Sequence, residues 1–250
     1  MKHYAMTGGA TGIGAATKAK LLANGHKVTV VDIKDADIIA DLGNPGSRAD
    51  ALAALQAAGP FDGVITCAGV ASHFPDTAAI ISINYYGTVE LLNGLKDHLN
   101  PLARVVAIAS NSAPMCTNEE LVSAMLNGSE SEARALAANC DGQMCYAGSK
   151  QAVARWVKHV APEWARSGVG INAIAPGYIE TPMTKAVAES PAYADAIKQF
   201  LASIPMQRAG QPEDIANLID FLLSDAASFI GGSLIYCDGA HDAMLRPDAY

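Results

Sequence analysis

The sequence predicts an α/β fold: one domain of 250 residues on a doubly wound parallel sheet of about seven strands, with helices on both faces. Three observations carry this prediction. Apolar runs such as Ala103–Ala109 lack polar alternation, which implies strands buried on both faces. Helix-forming stretches alternate with these runs, the order expected of parallel strands joined by helical crossovers. A glycine-rich turn, Thr7-Gly8-Gly9-Ala10-Thr11-Gly12-Ile13-Gly14, lies between the first run and the first helical stretch.

In chain order, Tyr4-Ala5-Met6 reads as a short buried strand and Ala15–Asn24 as an alanine-rich helix stopped at Gly25. Lys27–Val31 is the second strand and completes a strand-helix-strand unit around the turn. Ile38–Leu42 reads as a third strand, Ser47–Ala58 as a helix ending at Gly59-Pro60, and Gly63–Cys67 as a fourth strand. A helix over Ile81–Leu99 precedes Pro101 and the fifth strand, Ala103–Ala109. The stretch 113–144 mixes acidic residues with alanine and leucine and breaks at Asn127-Gly128, predicting a helical insertion of two short helices, Glu119–Leu126 and Ser131–Ala138. Tyr146–Arg166 is a long helix and Val169–Ala175 a sixth strand, ended by Pro176-Gly177. Thr181–Gln207 is helical but interrupted by Pro182, Pro191 and Pro205, which marks 182–207 as a substrate lid. Pro212–Leu223 has helix-start signals, Ser233–Cys237 is the last strand, and the tail from Ala240 carries no signal.

Composition narrows the function. With 50% hydrophobic and 17% charged residues the chain can bury a substantial single core. A formal charge of −8 without clusters of Lys and Arg argues against a nucleic-acid partner. No run approaches membrane-spanning length and Met1-Lys2-His3 leads straight into a strand, so no membrane partner and a cytoplasmic address are expected. Five cysteines lack the paired close spacings of a zinc site, so free thiols and no metal are expected.

The glycine turn reads as a phosphate-binding turn, because residues without a Cβ let the backbone approach a pyrophosphate and pack the next helix against the sheet. Its Gly8, Gly12 and Gly14 follow Gly-x-x-x-Gly-x-Gly rather than the common Gly-x-Gly-x-x-Gly. Asp32 follows the second strand 18 positions after Gly14, where a carboxylate accepts both hydroxyls of an adenosine ribose. Tyr146 and Lys150, four apart at the start of a helix, share one face and meet at one site. A phenol ordinarily ionises near ~10, and a neighbouring ammonium favours the phenolate, which makes Tyr146 a general acid/base.

With these motifs in place, the chain resembles the short-chain dehydrogenase/reductase family over nearly its whole length. The turn is similar to that family's Thr-Gly-x-x-x-Gly-x-Gly, which accounts for the spacing. The resemblance implies nucleotide contacts from Gly8, Thr11, Gly12, Ile13, Gly14, Asp32 and Ile33, and adenine contacts from Asp41 and Leu42. Cys67-Ala68-Gly69 stands where the family has Asn-Ala-Gly; backbone contacts survive there, while the bracing bonds of the Asn side chain are expected to be lost. Asn84 matches the asparagine that supports a water in the proton relay, Ser110 the serine after the fifth strand, and Tyr146 and Lys150 the central pair. Lys150 is implied to lower the Tyr146 pKa and to bind the nicotinamide ribose. Ser112 is the rival to Ser110. Pro176, Gly177, Ile179 and Thr181 look like the loop that holds the nicotinamide carboxamide. A narrower resemblance, resting on Ala10–Thr17, Gly25-His26, Asp32-Ile33, Ile39–Leu42, Cys67–Gly69, Asn84-Tyr85 and the long interval from Ser110 to Tyr146, is to the bacterial 3α-hydroxysteroid dehydrogenase/carbonyl reductase type.

The resemblance implies a Rossmann-type enzyme that transfers hydride between NAD and a secondary alcohol or ketone, with catalytic Asn84, Ser110, Tyr146 and Lys150. The expected partners are a small alcohol or ketone and a second copy of the chain, a homodimer being favoured over a tetramer. Two alternatives stand: a reductase of another carbonyl class, such as an aryl aldehyde or a 3-oxoacyl thioester, and a nucleotide-sensing protein without turnover.

Overall fold

The computed structural model describes residues 1–188 and 194–249. Seven parallel strands form one sheet in the order β3-β2-β1-β4-β5-β6-β7. They are β1 (His3–Thr7), β2 (Lys27–Asp32), β3 (Ile38–Ile39), β4 (Phe61–Thr66), β5 (Leu99–Ile108), β6 (Gly170–Pro176) and β7 (Leu234–Cys237). Because strand side chains alternate between faces, Tyr4 and Met6 of β1 enter one core while Ala5 enters the other. The first core packs beneath α1 (Gly12–Ala23) and one later helix; the second lies under α2 (Pro45–Ala58) and the helices of the middle of the chain. The chain reverses direction of winding at β1, which sits between β2 and β4, and this is where an open α/β sheet leaves a crevice at its carboxyl edge.

The expected helix over Ile81–Leu99 starts earlier and is four pieces, the last a 3-10 turn at Lys96–His98. Asp76 caps α3 (Thr77–Ile81) by accepting from the Ala79 amide, a π-helical turn spans Ser82–Tyr86, and α4 (Gly87–Leu95) follows. Leu99 belongs to β5, paired with Phe61 across a register shift. The third strand is two residues long rather than reaching Leu42. Ala40 and Leu42 are buried as a strand's would be, but the Asp41 amide donates to Ser47 Oγ and Asp41 Oδ1 accepts from Gly43, which turns the chain off the sheet.

The middle segment holds α5 (Glu119–Asn127) and α6 (Glu130–Ala137), the second opened by a reciprocal Ser129–Glu132 capping box. Next comes α7 (Gly142–Arg166), capped by Asp141 through the Met144 amide. Tyr146 therefore sits one turn inside that helix, not at its start. The stretch expected as a lid carries α8 (Pro182–Ala188) and α9 (Ala194–Ser203); its centre, 189–193, lies outside the described residues. The helix that shares the first core with α1 is α10 (Pro212–Leu223). The tail, which carried no signal, forms α11 (His241–Leu245), with the Asp242 amide donating to Asp238.

Candidate active site

One cleft of about 300 Å³ opens at the carboxyl edge of β1, β4, β5 and β6. At one end is the glycine turn. Gly8 has φ +75°, and a Cβ there would lie 2.4 Å from the Ala68 nitrogen; a Cβ on Gly14 would lie 1.7 Å from the Gly8 carbonyl oxygen. Only glycine fits either place. Thr11, at the N-cap of α1, makes no side-chain capping bond, and no acidic residue stands in the first turn, so the first amides of the helix face the cleft as an anion cradle. Asp32 closes this end: its Oδ2 accepts from the Ala10 amide at 2.9 Å and its Oδ1 from the Ile33 amide at 2.7 Å. The carboxylate is thereby tied to the turn.

The opposite end is built from β5, α7 and the loop after β6. Ser110 Oγ accepts from the Ser112 amide at 3.1 Å and from Ser112 Oγ at 3.0 Å, and it hydrogen-bonds the Tyr146 hydroxyl. Ser110 lines the cleft, and Ser112 stands behind it as its donor. Desolvation raises the Tyr146 phenol above its ordinary range, and the Ser110 bond pulls it partly back. The expected lowering by Lys150 is not found. Lys150 Nζ lies 6.0 Å from the centre of the Tyr146 ring and donates to the Ile108 carbonyl at 2.9 Å, and burial brings its own pKa down to about 8.

Every residue expected to touch a nucleotide lines this cleft: Gly8, Thr11, Gly12, Ile13, Gly14, Asp32, Ile33, Asp41, Leu42, Cys67, Ala68, Gly69, Tyr146, Lys150, Pro176, Gly177, Ile179 and Thr181. Asn84 is the exception among the expected site residues. Its Oδ1 accepts from the Val70 amide at 2.8 Å, and its Nδ2 donates to the Val70 carbonyl at 3.0 Å and to Ser149 at 3.2 Å. Fully buried in the π-helical turn, it braces the wall from behind instead of facing the cleft. Among the described residues Cys67 makes no side-chain hydrogen bond that would brace the neighbouring strands, in line with its lack of a side-chain amide. The bracing of this loop falls to Thr7, whose hydroxyl accepts from the Ala68 amide at 3.2 Å, and desolvation pushes the Cys67 thiol up to about 12.

Sequence reasoning missed Val70, Ile83, Met183 and Thr184 in the wall. Thr184 was findable: its hydroxyl accepts from the Thr181 amide at 2.9 Å, a Thr-x-x-Thr signature at the start of α8. It also missed His241, buried in the tail, with ring nitrogens 3.5 Å from Asn111 Nδ2 and 3.3 Å from Ser203 Oγ. This places the residue after Ser110 in one network with α9.

The chain is similar to known proteins over nearly its whole length. A family model described as enoyl-(acyl carrier protein) reductase matches residues 8–240. The 3-alpha-hydroxysteroid dehydrogenase/carbonyl reductase of Comamonas testosteroni is 37% identical, with all of both chains covered. The cis-4-hydroxycyclohexanecarboxylate dehydrogenase of Sinomonas cyclohexanicum is 31% identical over 96% of each. Among solved structures, the 3-alpha-hydroxysteroid dehydrogenase of Pseudomonas sp. B-0831, complexed with NADH, superposes with a TM-score of 0.93 over 99% of this chain and 100% of that one, at 37% identity.

Proposed function

We propose that this chain, which belongs to the short-chain dehydrogenase/reductase family and is an oxidoreductase of it, uses NAD(H) to interconvert an uncharged secondary alcohol and its ketone. The observation that carries the reading is one cleft with an anion cradle and a pinned Asp32 at one end and Ser110, Tyr146 and Lys150 at the other. The cradle that a Cβ would fill and the uncapped start of α1 fit a dinucleotide pyrophosphate. Asp32 fits the ribose hydroxyls and would meet a 2′-phosphate as a like charge, at a cost on the order of several kcal/mol. Lys34 stands nearby on the same loop, while the turn itself offers only Ala10 and Thr11 where a cation would welcome that phosphate.

When bound, the nicotinamide supplies or accepts the hydride at the carbinol carbon. The chain's part is to move the proton and hold the oxygen. Ser110 Oγ holds the substrate oxygen beside the Tyr146 hydroxyl, which gives its proton to the forming alkoxide in reduction and recovers it in oxidation. With its phenol raised by burial, Tyr146 stands ready as an acid. Lys150, fixed by the Ile108 carbonyl, holds a positive charge under the ring. Among the described residues this end of the cleft carries no other cation, which favours hydrophobic carbonyls such as 3α-hydroxysteroids over carboxylate substrates.

A second reading is reduction of a 3-oxoacyl thioester, supported by the 30% identity over 96% of this chain to the acetoacetyl-CoA reductase of Synechocystis. Steady-state kinetics with both cofactors against steroid, alicyclic, aryl and acyl-thioester substrates test both. The expected outcome is a higher specificity constant with NADH and with a neutral ketone. A preference for NADPH overturns the cofactor assignment, and a preference for the thioester overturns the substrate class. We further propose that the chain acts as a homodimer.

A further inference from the structure

Arg48, in the first turn of α2, is 1% exposed and has no place in the chemistry above. Its Nη1 donates to the Leu42 carbonyl at 3.0 Å, and its Nε donates to Glu90 on α4 at 2.7 Å. The third face of the guanidinium is taken by Glu130 on α6. Burial works against the charge, yet the hydrogen bonds donated to Glu90 and Glu130, with the charge of those carboxylates, outweigh it and leave the guanidinium pKa raised. Leu42 and Asp41 form the wall at the adenosine end of the cleft. That wall is therefore held at two successive residues from the same helix: Ser47 accepts from the Asp41 amide at 2.9 Å, and Arg48 donates to the Leu42 carbonyl.

The same α6 makes a second, independent contact with the wall. Arg134 Nη1 donates to Ser82 Oγ at 2.6 Å and to the Ala78 carbonyl at 3.2 Å. Ser82 opens the π-helical turn whose next residue, Ile83, lines the cleft. Neither Glu130 nor Arg134 reaches the cleft itself.

We propose that Arg48 is a positioning residue for the adenosine half of the cofactor and that the helical insertion, through Glu130, belongs to the cofactor-binding machinery. The proposal rests on the reading of the cleft as a dinucleotide site. Without Glu130 the guanidinium keeps only Glu90, which is 46% exposed, and its hold on the Leu42 carbonyl loosens. Without Arg48 that carbonyl loses its donor, and two carboxylates are left facing each other.

Fluorescence titration of the full chain with NADH and with AMP tests this on wild type, Glu130→Gln, Arg48→Met and Arg48→Lys. Glu119→Gln serves as a control, because it removes an exposed insertion ion pair, with Arg155, that is remote from Leu42. Glu130→Gln is expected to weaken NADH and AMP by a common factor on the order of tenfold. Arg48→Met should weaken both further, Arg48→Lys recover part of the loss, and the control match wild type. The ketone KM, measured at saturating NADH, should shift by less than about twofold, whereas a general loss of folding would spoil both parameters. Wild-type affinity for AMP in folded Glu130→Gln and Arg48→Lys overturns the proposal even if Arg48→Met does not fold, and leaves the dinucleotide reading standing. Failure of the wild type to bind NADH overturns both.

Discussion

Tyr146 and Lys150 are set apart by solvation: burial holds the proton on the phenol and loosens it on the ammonium. Lys150, brought to about 8, is the group that titrates first as pH rises. The kcat/KM for ketone reduction, which reports the free enzyme, is expected to fall as pH rises through about 8, with Tyr146 still protonated. A profile flat to about pH 10 contradicts this. The linkage has a definite sign. Between about 8 and the ordinary lysine value near ~10.4 the unfolded chain binds the proton that folded Lys150 has lost, so Lys150 makes stability rise with pH across that window. Tyr146→Phe keeps the ring and removes the proton carrier; turnover should drop by roughly 10²–10⁴-fold while NADH affinity, read by fluorescence, stays near wild type. Near-normal turnover would require another acid.

Among the elements, α7 carries both of these residues and is fixed at its start by Asp141. Asp141→Ala is expected to lower stability by about 0.5–2 kcal/mol in urea denaturation. An unchanged midpoint would mean that the cap is redundant. That cap is present in the sequence, but periodicity alone predicts the helix only from Tyr146, one turn beyond its polar start. Most strands were legible for the converse reason: strands buried on both faces are short continuous apolar runs, here bounded by turn residues and alternating with helices. The π-helical turn was not legible, since one extra residue only shifts a helical pattern that is buried on most sides from Ile80 to Leu95. Asn84 was identified through the family motif, yet its place behind Val70 depends on that turn. Ile38–Leu42 looked like a strand because burial is the same in a strand and in a turn pinned by Ser47. Chemistry at the cleft was legible because each motif is local; the Arg48 cluster was not, because its members lie 42 and 82 positions apart.

At the scale of the molecule, α5 and α6 bury Leu121, Val122, Met125, Ala133 and Ala137 in the same core as α3 and α7, so the insertion lies on the face of the long helices. Two chains pairing through that face would have to accommodate it. The opposite side is open: Phe221 of α10 is 42% exposed and Phe229, between α10 and the edge strand β7, is fully exposed. Their rings offer apolar area that a partner chain would bury. The proposed homodimer uses this side, and light scattering should give twice the chain mass for wild type and the chain mass for Phe229→Glu. A mass of four chains contradicts the dimer, because it would require pairing through the face that carries the insertion as well.

The π-helical turn at Ser82–Tyr86 has one consequence for how the chain tolerates change. A π turn is an α-helix with one residue too many. Removing a single residue there would let α3 and α4 merge into one regular helix, with Ile80, Ile81, Leu91 and Leu92 still facing the core. Asn84 would swing away from Val70 and the cleft wall would lose its brace. Fold and site are therefore encoded separately along this helix, and the site hangs on the count of residues as well as on the amide of Asn84.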